Sequence, residues 1–320
     1  MTRLLTKFSA LLAICLALAA PALADDKLKV VATFSILGDL TGKIGGDAID
    51  LTTLVGPDED AHAFDPTADA QRAVAGAKVL VANGLGFEPW LGRLIDAAAF
   101  KGVLVEATRG IEPLASGDAA HEGEEHEEHE EHEGEAAEAG YDHDHGAVDP
   151  HAFQDPKLVL TYIDNIAAAL AAAAPSQAAA FERNAAALKQ QFRDLDADLM
   201  ATIGTLPVEK KRILTSHDAF QYFGHAYGIA FVGVQGVSTD AEPSAQDLKE
   251  IVEQIRAGKI NAVFVENMND PRFVETLAAD TGIKVGGDLY SDALSAADGP
   301  ASDLLSLFRH NQKELIKALQ

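Results

Sequence analysis

Short apolar runs alternate with amphipathic stretches along most of this chain. "KLKVVATF" (Lys27–Phe34), "DLTTLV" (Asp50–Val55), "KVLVANG" (Lys78–Gly84) and "GVLVEAT" (Gly102–Thr108) are rich in β-branched residues and have strand length. "ILGDLTGKIGGD", "ADAQRAVAGA" and "EPWLGRLIDAAA" lie between them and carry helical spacing. A helix is expected after Pro156, and a longer one over Pro175–Gly204. A proline near its start and a glycine at its end suit a single helix of roughly 28 residues, about 40 Å long. The alternation then resumes with "RILTS" (Arg212–Ser216), "IAFVGV" (Ile229–Val234), "INAVFVE" (Ile260–Glu266) and "IKVGGDL" (Ile283–Leu289), with "SAQDLKEIVEQIRAG" the clearest intervening helix. Strands alternating with helices imply parallel sheets covered on both faces. The expected fold is therefore α/β, with two similar lobes. Each lobe is a mostly parallel four-stranded sheet flanked by helices, and one long helix joins them.

Two segments depart from this pattern. The first 24 residues have a basic start at Arg3 and Lys7, a short apolar run, and small residues at Ala22 and Ala24. They read as a secretory signal cleaved after Ala24, which places the mature protein in the periplasm. The second is "HEGEEHEEHEEHEG" and its surroundings, residues 116–146. This stretch is too poor in apolar residues to offset its ordering entropy, and a disordered insertion is expected. The expected organisation is a signal over 1–24, an N-terminal lobe over 25–174, a connecting helix over 175–204 and a C-terminal lobe over 205–320.

The net charge of −25 attracts cations and repels phosphate backbones, which argues against nucleic-acid binding. Cys15 is the only cysteine and lies inside the signal. A metal site in the mature chain must therefore use His, Asp and Glu.

Of the eleven histidines, six lie in the insertion: His121, His126, His129, His132, His143 and His145. Among the others, His62 in "DEDAHAFDP" and His151 in "VDPHAFQDP" share a context, and His217 follows the fifth strand in "LTSHDAFQYF". Each sits in a loop, two of them at carboxyl ends of strands, where open parallel sheets bind ligands. Asp292 in "LYSDALS" lies just past the last strand, with Asp288 as its competitor. Three imidazoles and one carboxylate suit zinc, and manganese or ferrous iron accept the same ligand types. His225 and His310 read as local packing and solvated-face residues. Glu266 ends an inner strand; it either partners a ligand histidine or is an ordinary strand-end carboxylate.

Together "DAHAFDP", "NGLGFEPWL", "VDPHAFQDP", "LTSHDAFQYFG", "EPSAQDL" and "LYSDALS" resemble the solute-binding receptors of bacterial ABC importers for zinc and manganese, known as cluster A-I. The resemblance covers essentially the whole mature chain. It implies one metal held between two α/β lobes, by His62, His151, His217 and Asp292, and delivery to the membrane permease of an importer. It also implies small domain tilts about a rigid helix. Manganese-type members often carry glutamate where His217 stands, and many zinc-type members lack the late aspartate, so this chain combines features of both. The His-rich insertion is typical of zinc-type members and makes Zn2+ the expected cargo, with Mn2+ or Fe2+ the alternative. A monomer is expected. A periplasmic zinc buffer or chaperone is a second reading, with the insertion histidines as weak auxiliary sites. A metallohydrolase is disfavoured, because four protein ligands close the site to a reacting water and no H-E-x-x-H is present.

Overall fold

A computed structural model of the chain describes residues 27–116, 148–239, 245–268 and 272–320. The expectations for the signal and for His121, His126, His129, His132, His143 and His145 fall outside these residues.

The N-terminal sheet contains β1 (Leu28–Phe34), β2 (Ile49–Val55), β3 (Val79–Ala82) and β4 (Val103–Glu106). Its order is β2-β1-β3-β4, with every pair parallel. The C-terminal sheet repeats this with β5 (Arg212–His217), β6 (Ala230–Gln235), β7 (Ala262–Glu266) and β8 (Val285–Leu289), in the order β6-β5-β7-β8. All its pairs are parallel too. The residues explain which strands are central. Val30–Phe34 of β1 and all four residues of β3 are buried, as inner strands covered on both faces must be, whereas β2 and β4 expose part of each strand. The α/β fold expected from the apolar alternation is the fold observed.

Helices α1 (Ser35–Gly45), α2 (Ala68–Gly76) and α3 (Leu91–Ala97) connect the first four strands. The third corrects an expectation, for the helix starts at Leu91 and not at Glu88. Residues 84–86 have positive φ, and the Glu88 side chain is turned inward to accept the N–H groups of Asn83 and Gly84. Next come α4 (Pro156–Ala173) and α5 (Ala178–Ile203). Asp155 caps α4 by accepting from the Lys157 N–H at 2.8 Å, and Pro156 sits in its first turn. The C-terminal lobe adds α6 (Gln221–Tyr227), α7 (Ala245–Arg256), α8 (Arg272–Thr281) and α9 (Leu304–Leu319).

Helix α5 spans 26 residues, about 39 Å at 1.5 Å per residue. Phe181, Ala185, Leu188, Phe192, Leu195, Leu199 and Ile203 form its buried stripe, at the spacing of one helical face. The helix reaches both lobes: Asn184 Nδ2 donates to Ile44 O of α1 at 2.9 Å, and Phe192 of the stripe meets Phe308 of α9. One apolar core runs through the N-terminal lobe, α5, α6 and α9. A smaller separate core lies under α7 and α8.

Candidate metal centre

A sheet of order 2-1-3-4 reverses direction between its two inner strands, and ligands bind at the carboxyl ends there. In the C-terminal lobe those strands are β5 and β7, and their last residues are His217 and Glu266. Asp292 follows three residues after β8. In the N-terminal lobe the loop after β2 carries His62, and His151 immediately precedes a 3-10 turn that leads into α4.

These placements bring four side chains together. His62, His151, His217 and Asp292 are all buried, and each offers one donor atom within 4.8 Å of the others. His62 Nε2 lies 3.3 Å from His151 Nε2 and 3.3 Å from Asp292 Oδ2. His217 Nε2 lies 3.0 Å from Asp292 Oδ2, and His151 Nε2 lies 3.6 Å from Asp292 Oδ1. A tetrahedral ion with metal–nitrogen bonds of about 2.0–2.1 Å separates neighbouring donors by ~3.3–3.4 Å. The two distances from His62 Nε2 match that value, and the set as a whole lies within 4.8 Å. Among the described residues this is the group suited to a metal.

Each histidine is gripped from behind by a carboxylate. Asp60 Oδ1 accepts the backbone N–H of His62 at 2.8 Å. Asp149 Oδ1 accepts both the backbone N–H of His151 at 2.9 Å and its ring Nδ1–H at 2.7 Å. Glu266 Oε1 accepts the backbone N–H of His217 at 2.9 Å, and Oε2 lies 2.6 Å from its Nδ1, an ionic contact and not a linear hydrogen bond. Occupying Nδ1 leaves Nε2 of His151 and His217 aimed at the centre. Glu266 is thus a partner of His217. Asp60 and Asp149 were not singled out in the sequence. Their signal was present: each stands two residues before its histidine, in "DAH" and "DPH".

The electrostatics follow. Burial pushes His151 down, but Asp292 and Asp149 outweigh it and lift it to about 9. Burial also opposes charge on His217, yet Glu266 and Asp292 raise it well above the ordinary histidine value. Burial raises Asp292, and His151 and His217 more than reverse this, holding it well below the carboxylate range. His151, His217 and Asp292 form a compact set of alternating charge that a cation enters by displacing protons.

The remaining candidates lie elsewhere. Asp288 is exposed on β8, and its carbonyl accepts from His310 Nε2 at 2.9 Å. His225 is exposed on α6. Among the described residues no helix is long and apolar enough to cross a membrane.

The chain is similar over most of its length to proteins of known family and structure. Residues 30–318 match the family model described as zinc-uptake complex component A, periplasmic. A manganese-binding lipoprotein, MntA of Halalkalibacterium halodurans, is 29% identical over 92% of this chain and 89% of its own. The solved periplasmic zinc-binding protein TroA of Treponema pallidum superposes with a TM-score of 0.80 at 27% identity, covering 92% of this chain and 99% of that one. A manganese-bound periplasmic metal-binding protein of Candidatus Liberibacter asiaticus superposes with a TM-score of 0.75 at 27% identity, over 92% and 100% of the two chains.

Proposed function

We propose a cargo and a set of ligands from one premise: the chain belongs to the ZnuA family of periplasmic zinc-uptake components, metal-binding receptors of ABC importers. The cargo is Zn2+, held by His62, His151, His217 and Asp292. The observation that carries this reading is the convergence of these four buried donors within 4.8 Å of one another. Three imidazoles suit a borderline-soft ion such as zinc, and the His-rich insertion supports the same metal. Manganese or ferrous iron is the alternative cargo. It is favoured by the oxygen donor Asp292 and by the manganese named for MntA and for the Liberibacter structure.

The work is capture and release, not catalysis. Four protein donors leave no open position for a reacting water. Asp149 holds the His151 imidazole in the tautomer that presents Nε2, and Glu266 lies against Nδ1 of His217, so the ion meets a prearranged site. The signal is removed after Ala24 in the periplasm, and the receptor acts as a monomer, since one chain supplies every donor. The loaded chain docks on the permease of an ABC importer. The insertion histidines (His121, His126, His129, His132, His143 and His145) add weak auxiliary sites and a buffering capacity, because a segment that must be ordered binds less tightly than a formed site.

Equilibrium dialysis with metal analysis tests this reading. One tightly bound zinc per chain is expected. His217→Ala should lower affinity by more than the 10–100-fold typical of losing a partner behind a ligand. Wild-type affinity in His217→Ala would remove the assignment.

A further inference from the structure

Neither His62 nor His151 is placed by its own loop alone. Both loops are tied to one turn, residues 83–90, "NGLGFEPW". Trp90 Nε1 donates to the carbonyl of Ala61, the residue before His62, at 2.7 Å. Asn83 Nδ2 donates to the carbonyl of Pro150, the residue before His151, at 2.9 Å. Phe87 lies between them. Its ring centroid is 4.4 Å from that of His62 and 5.7 Å from that of His151. A single short segment thus touches both N-terminal-lobe histidines and both residues that lead into them.

The turn is itself over-determined. Gly84, Leu85 and Gly86 all have positive φ, of 88°, 55° and 78°. For Leu85 that backbone is unfavourable, and such conformations persist where surrounding contacts enforce them. Gly84 also has no room for a side chain, since a Cβ there would lie 2.7 Å from Thr108 Oγ1. The enforcing contacts come from within the turn and from β1, α4 and Thr108. Glu88 Oε1 accepts from Asn83 N at 2.7 Å and from the Thr33 hydroxyl of β1 at 2.6 Å. Asn83 Oδ1 accepts from the Tyr162 hydroxyl of α4 at 2.8 Å, and Thr108 Oγ1 donates to Asn83 O at 2.6 Å. Asn83, Phe87, Glu88 and Trp90 are all buried.

We infer that the 83–90 turn is the template that positions both N-terminal-lobe metal ligands, with Asn83 and Trp90 as positioning residues acting through the Pro150 and Ala61 carbonyls. The inference rests on the ligand assignment above. Its physical content is preorganisation: two loops from distant parts of the chain share one rigid support, so their imidazoles keep their separation before metal arrives.

Trp90→Phe removes the indole N–H and keeps an aromatic ring beside Phe64 (centroids 4.8 Å apart in the wild type). Asn83→Asp keeps the acceptor for Tyr162 and replaces the donor to Pro150. Both are measured in the full chain, with Zn2+ for affinity and Co2+ as a spectroscopic probe. Each variant should still bind one zinc per chain, at an affinity lowered by about 10–100-fold, the range for partners behind a ligand. The visible Co2+ spectrum should shift in each. The double variant should lose about the product of the two factors, because the two bonds hold different loops. Leu188→Ala in α5 supplies the control: it is destabilised away from the turn and should keep the wild-type Co2+ spectrum. Wild-type affinity and spectrum in a folded variant of either position would overturn the template. Should one variant fail to fold, the other decides alone. Failure of the ligand assignment has a different signature, with His151→Ala binding zinc as tightly as wild type.

Discussion

Asp149 Oδ1 holds the backbone and the ring of His151 at once, and with Asp292 it lifts that imidazole to about 9. An ordinary histidine would leave metal affinity nearly flat above about pH 6.5. Here the ion competes with a proton throughout the neutral range, so zinc affinity should keep rising from pH 6 to about pH 9 and fall on acidification. Calorimetry in buffers of different ionisation heat should detect proton release at pH 7 that shrinks as pH rises through about 9; no release at pH 7 would contradict it. Glu88 gives a second pH signature. Burial, set against hydrogen bonds from Asn83, Thr33 and Gly84, raises its carboxyl from 4.5 to about 7. Between those values the unfolded chain ionises while the folded chain stays protonated, so folding stability falls as pH rises, by about 3 kcal/mol in all. Chemical denaturation of Glu88→Gln should lack that fall, and parallel curves for wild type and variant would exclude it. At this scale the four converging residues are legible in the sequence because two share a His-Ala-Phe context and three lie near strand ends. Asp60 and Asp149 stand in "DAH" and "DPH", where an Asp is also an ordinary turn residue. Only the fold shows which of these turns face a cation site.

The strands and helices were legible for a simple reason. Inner strands are uninterrupted apolar runs, and helices repeat their apolar residues every three or four positions. The failure at residues 88–90 has an equally simple reason. "EPW" has good helix-start chemistry, yet the glutamate is drawn back by the unpaired N–H groups of Asn83 and Gly84. Local propensity lost to a buried hydrogen-bond demand. The long helix α5 was readable as a helix, but the sequence alone left its contacts open. Phe192 is fully buried in α5 and meets Phe308 of α9, so Phe192→Ala should cost about 3–5 kcal/mol. Urea unfolding should show it as one cooperative transition at lower denaturant. Two separated transitions would mean that the lobes do not share this core.

Across the whole molecule, thirteen of fifty acidic residues and six of eleven histidines lie between residues 118 and 145, and none of them is among the four donors. The stems of that stretch are tied to each other next to the centre: Ala115 bridges Val148, and Asp149 N donates to Leu114 O at 2.8 Å. Tyr222 of the C-terminal lobe adds its hydroxyl to both stems, accepting from Leu114 N at 3.0 Å and donating to Asp149 O at 2.9 Å. These bonds do not depend on the residues between the stems. A chain lacking 117–146 should therefore keep the tight zinc site and lose only weaker binding, as titration of both chains would show. Disappearance of the tight site would move the ligands into the insertion. Cargo identity is the central claim, and competition at equilibrium tests it most directly. With zinc and manganese present at equal concentration, the wild-type chain should retain one zinc per molecule in its tight site; manganese displacing that zinc would contradict the claim.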